Sequence, residues 1–115
     1  MNKYASIIND LCETVGRLSA SAEEQAAYVI QLGVAPLVDE LALEFGDVVV
    51  RVPELVAAGV LNESQATVLQ ELHQTLHEFS GIENEELWLI ESLGDPIWAM
   101  VRALANKARV SLGCE

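Results

Sequence analysis

HQTLH, residues 73 to 77, puts two histidines at i and i+4, a spacing that lets one helix face offer two imidazoles to a metal. Two ligands fall short of the three or four that zinc takes from a protein. Gln74 also stands where the HExxH metalloprotease signature needs its glutamate. The spacing of the neighbouring leucines predicts His73 at the edge of a core stripe and His77 in solvent. Nucleophilic chemistry fares no better. Cys12 adjoins Glu13 and Cys114 adjoins Glu115, and adjacent carboxylates disfavour the thiolate that would attack. The glycines occur singly at expected helix ends, so no loop of P-loop or Rossmann type is present to cradle a phosphate. These residues point to a chain that is not an enzyme and carries neither metal nor cofactor.

Carboxylates are the abundant chemistry. Eighteen Asp and Glu stand against six Lys and Arg, a net charge of -12. Between Arg17 and Arg102 the sole base is Arg51, while the same stretch carries fifteen acids. Acids so short of internal partners repel one another, and a positively charged partner would relieve that repulsion. Arg102, Lys107 and Arg109 form the only basic cluster, too small to hold nucleic acid against the surrounding field. Trp98, Arg102 and Arg109 share a helical stripe, which cation–π contact and pairing with nearby acids would account for.

The elements that must position these groups are helical. Tyr4, Ile7, Ile8, Leu11, Val15 and Leu18 form a first apolar stripe. Ser21 and Glu24 predict a capping box opening a second helix, with Ala22, Ala26, Val29 and Ile30 inward and Gly33 as its stop. Pro36 suits the first turn of a third, with Val38, Leu41 and Phe45 inward and Gly46 at its end. In GDVVVRVPELVAAGVL the run VVVRV has strand-like β-branching, but a lone strand has no sheet to join. A short helix from Asp47 and another from Pro53 are expected there instead. Asn62 caps a long helix with Gln65, Leu69, Leu72, Leu76 and Phe79 inward, ended by Gly81. A short helix runs from Asn84 to Gly94. Asp95 and Pro96 then open the last, with Ile97, Val101, Leu104, Ala108 and Leu112 inward.

At 115 residues and 51% hydrophobic, the whole chain (1–115) reads as one all-α domain, a compact bundle of six or seven helices with short connections. The opening residues lack an apolar run of signal-peptide length, and no stretch approaches the ~18 apolar residues of a membrane span. A cytoplasmic protein with Cys12 and Cys114 as free thiols is therefore expected, a bridge between these near-terminal cysteines being the alternative.

Two segments combine acids with apolar anchors. On a wheel of residues 85 to 93, Leu87, Leu89, Ile90 and Leu93 cover one side, while Trp88 lies on the other between Glu85 and Glu91. Glu83, Glu86 and Asp95 add to the field. The alternative for so short a helix is that the ring packs on a neighbouring helix. In LVDELALEF, Asp39, Glu40 and Glu44 point away from the inward side, and Leu43 falls inside that acidic arc. Tryptophan is a favoured interface anchor, and acids steer encounter with a basic surface. The ten residues Asp39, Glu40, Leu43, Glu44, Glu83, Glu85, Glu86, Trp88, Glu91 and Asp95 are thus the candidate partner-binding set.

In size, charge and helical layout over its whole length, with ELALEFGD and IENEELWLIE as the anchor-bearing segments, the chain resembles small acidic all-helical bacterial toxin-immunity proteins. No motif matches residue for residue, so the resemblance assigns no position. It implies a non-catalytic inhibitor of a basic toxin, a nuclease domain being the fitting target. An acidic adaptor or regulatory subunit and a self-associating helical protein are the alternatives.

Overall fold

The computed structural model describes residues 3–114. Six α-helices and two 3-10 segments account for its elements, with no strand among the described residues. Helix α1 (Ala5–Ser19) buries Leu11, Val15 and Leu18 on the expected stripe, together with Thr14. It packs on the last helix, α6 (Pro96–Leu112), and on α3 (Asp39–Val49). Helix α5 (Glu63–Glu78) packs on α6 and α3 from the other side.

Local capping sets the helix starts. Ser21 and Glu24 form a reciprocal capping box at the head of α2 (Ala22–Leu32), and Gly33 follows it at φ 77°. Asn62 and Gln65 do the same for α5. Asp95 accepts a hydrogen bond from the Ile97 amide at 2.9 Å and caps α6, with Pro96 in the first turn. Each box satisfies amide donors that a helix start leaves open.

Four local expectations are corrected. Ile30 is exposed, because the inward stripe of α2 runs through Ala22, Gln25, Ala26 and Val29, with Gln25 buried on it. Pro36 lies ahead of α3, after a cis peptide bond from Ala35. Gly46 does not end α3. The buried series Val38, Leu41, Phe45 and Val49 continues past it at helical spacing, and that burial outweighs the ~1 kcal/mol a helical glycine costs. Residues 47–49 are therefore the last turn of α3, and α4 is a short helix, Val52–Ala57, with Pro53 in its first turn.

The fourth correction concerns residues 82–94. They form two 3-10 segments, Ile82–Trp88 and Ile90–Gly94, separated by an extended Leu89 at φ -93° and ψ 151°. Leu89 bridges antiparallel to Leu37. The Val38 amide donates to the Trp88 carbonyl at 2.8 Å, and the Ile90 amide donates to the Pro36 carbonyl at 2.7 Å. Two backbone bonds thus tie the approach to α3 onto the junction of the 3-10 segments.

Cys12 and Cys114 are joined in a disulfide across 102 residues of sequence, which corrects the expectation of free thiols. The helical layout brings the middle of α1 against the end of α6, and this contact puts their Cα atoms 5.6 Å apart. No helix of the described residues is long and apolar enough to cross a membrane.

Candidate partner-binding groove

Trp88 is not an exposed anchor. The residue is 9% exposed, and its ring stacks on Phe79 at 4.8 Å between centroids and meets Trp98 edge-on at 5.3 Å. Its indole N–H donates to the Phe79 carbonyl at 2.9 Å. The wheel misplaced it because it reads one element alone: Trp88 closes the first 3-10 segment, where Phe79 from the end of α5 and Trp98 from α6 cover its ring. Ile82, Glu85 and Trp88 share one face of the first segment, with Ile82 and Glu85 open to solvent and Trp88 turned under them.

That face lines a groove of about 600 Å³ against α3 and the end of α5. Buried Leu76 and the edge of Trp88 form its floor, with half-buried Ala42 and Gly46 beside them. Asp39 and Asp47 from α3 and Glu85 from the 3-10 segment supply its carboxylates. Leu37, Leu43 and Ile82 border it as exposed apolar side chains. His73 is half-buried in the wall, edge-on to Phe45 with centroids 6.3 Å apart, and His77 is exposed, as their spacing predicts. Among the described residues, no three His, Cys, Asp or Glu side chains are disposed to hold a metal ion.

The structure divides the candidate set. Asp39, Leu43 and Glu85 converge on the groove with Trp88 as part of its floor. Glu83 and Glu86 are exposed beside Glu85 around a smaller depression on the same segment. Glu91 is exposed outside the groove, and Asp95 is occupied as the cap of α6. Glu40 and Glu44 lie toward α2. Glu44 is half-buried and accepts from Arg17 Nη1 at 3.2 Å and from the Tyr28 hydroxyl at 2.6 Å. It is therefore a carboxylate that joins α1, α2 and α3.

Burial first, and then the hydrogen bond to Glu44, raise the Tyr28 pKa above the ordinary tyrosine value. A raised folded-state value means that this contact stabilises the fold below about pH 10 and is lost as pH rises through the folded pKa. Glu44→Gln is expected to move Tyr28 back toward its ordinary value, read as an earlier phenolate absorbance rise in an alkaline titration.

Sequence reasoning missed Gln25, and it expected Arg102 to meet acids or an aromatic ring where its hydrogen bonds go to an amide oxygen and a backbone carbonyl. Gln25 donates to the carbonyls of Arg17 and Leu18 at 3.1 and 3.0 Å, and its own oxygen accepts from Arg102 Nη1 at 3.1 Å. Arg102 also donates to the Leu93 carbonyl at 2.9 Å. The signal for Gln25 was its place between Ala22 and Val29 on the inward stripe. Arg102 is thus drawn into a structural network, and Arg109 donates to the Asn106 side chain.

Comparison with protein-family models, curated proteins and solved structures gives no match. Ion pairs among the described residues engage Glu13 and Glu44 with Arg17, and Glu54 with Arg51. Asp39, Asp47 and Glu85 take part in none of them, and no Lys or Arg lines the groove.

Proposed function

We propose that this chain is a non-catalytic immunity protein that binds and inhibits a basic cognate toxin, a nuclease domain being the fitting target. The observation that carries this reading is the convergence of two acidic, anchor-bearing segments, far apart in sequence, on one groove with no Lys or Arg in its lining. Nucleases are basic where they hold phosphates. Carboxylates offered at the same positions would compete for that surface, steer a fast encounter and leave apolar contacts to slow dissociation. Trp88 supports the groove from below and is not itself the projecting anchor.

The test begins with capture of a partner from host lysate at low and high salt, followed by purification and titration of its activity. Stoichiometric loss of toxin activity is expected, with an association rate that falls as salt rises. Asp39→Lys combined with Glu85→Lys should slow association and change dissociation much less. A captured partner whose activity is untouched would leave an adaptor. Association of the chain with itself that tightens with salt would point to the exposed leucines as a self-interface. The cytoplasmic setting belongs to the same proposal and implies the reduced form of the cysteine pair. Thiols trapped in acid from producing cells would show two free groups there, and none in an oxidising compartment.

A further inference from the structure

We propose that the groove between α3, the end of α5 and the first 3-10 segment docks one segment of the basic partner, a bulky apolar side chain flanked by lysine or arginine. This rests on the inhibitor reading and names the surface and chemistry through which it would act. Leu37, Leu43 and Ile82 are 44%, 54% and 84% exposed at its border, over a floor that includes Leu76 and Trp88. Asp39, Asp47 and Glu85 are interleaved with them, outside the ion pairs among the described residues.

Neither feature alone selects this occupant. A purely cationic ligand would use the three acids and leave the apolar border wet. A purely apolar one would desolvate carboxylates with nothing to pair them, which is unfavourable. A segment with both characters satisfies both surfaces. The apolar groups project at an open border where an incoming protein surface would cover them, an arrangement suited to interface anchors ringed by polar groups.

The other large depressions lack this combination. The groove of about 740 Å³ beside α1 and α2 contains Arg17, already engaged with Glu44 and lying 4.7 Å from the centre of the Tyr28 ring. The depression of about 700 Å³ between α4 and α5 has Glu63 and Glu71, but none of the large exposed apolar side chains.

The experiment uses the full chain, isotopically labelled, and three synthetic peptides of equal length: leucine–lysine, lysine alone, and leucine–glutamate. Two-dimensional NMR titration at about 0.15 M salt should move the resonances of Leu43, Ile82 and Glu85 with the leucine–lysine peptide. That peptide is expected to bind about tenfold more tightly than oligolysine, the equivalent of one well-seated apolar anchor. Leu43→Lys and Glu85→Lys should each weaken it roughly fivefold or more, whereas Glu71→Lys should leave it unchanged. Thermal melts of each variant separate lost binding from lost fold.

Equal affinity for oligolysine, or shifts spread over every acidic face, would overturn the proposal, because the acids would then act as diffuse counter-charge. Preferred binding of the leucine–glutamate peptide would overturn it as well. The two readings fail separately. Groove variants that still inhibit a toxin at full strength refute the docking site and spare the inhibitor. A groove that selects the leucine–lysine peptide, in a chain that inhibits no toxin, does the reverse.

Discussion

Trp88→Ala is expected to lose about 3–5 kcal/mol of stability, the range for removing a large aromatic side chain from a core. The ring contributes in three ways that alanine cannot replace. It fills volume between Phe79 and Trp98, stacking on one and meeting the other edge-on. Such pairs add about 0.5–1.5 kcal/mol beyond simple burial. It also supplies the donor for the Phe79 carbonyl at the end of α5, an acceptor left open by the substitution. For a chain of this size the melting temperature should fall by roughly 10–20 °C. Leu43→Ala is the contrasting variant. Leu43 is 54% exposed, and its removal should change stability by no more than about 0.5 kcal/mol. A Trp88→Ala protein that melts with the parent would refute the packing role and restore the ring to the partner surface.

The contrast between these positions shows what the sequence could disclose. The starts of α2, α5 and α6 were legible because they are local. Ser21 with Glu24 and Asp95 with Pro96 each announce a cap within four residues, and Asn62 stands as a cap ahead of its helix. The stripe of α1 was legible for the same reason. Trp88 was not, because its environment is made by Phe79 and Trp98, rings from two other helices' ends that no periodicity within IENEELWLIE can foresee.

The candidate site was half-legible. Asp39, Leu43 and Glu85 were identifiable as acids and an anchor off the inward stripe. Their meeting was not, because it is tied by backbone bonds from Val38 to Trp88 and from Ile90 to Pro36, which any non-proline donor residue can make. Glu44 fell on the outward arc of its own helix, yet a tertiary contact claims it. Arg17 and Tyr28 arrive from two other helices, and helical periodicity within α3 cannot foresee them.

Opening the Cys12–Cys114 bond is expected to lower stability by about 4 kcal/mol, with an upper value near 5. The reason lies mainly in the unfolded chain. A cross-link spanning 102 residues closes nearly the whole polypeptide into a loop, and the entropy it removes from the unfolded ensemble grows with loop length. Domains of this size are commonly stable by only about 5–15 kcal/mol, so the bond would supply a large share. Denaturant titration of the parent with and without reductant should show the midpoint shift, and Cys12→Ser with Cys114→Ser should lie at the reduced value in both media. An oxidised and a reduced parent with the same midpoint would refute this. The outcome also bears on where the chain works. In a reducing compartment the pair opens, and the fold must stand on its core and caps at the lower stability. The groove lies on α3, α5 and the first 3-10 segment, and neither cysteine lines it. Partner binding should therefore be equal for the bonded and reduced chains at any temperature where both are folded, and should part only where the reduced chain begins to melt.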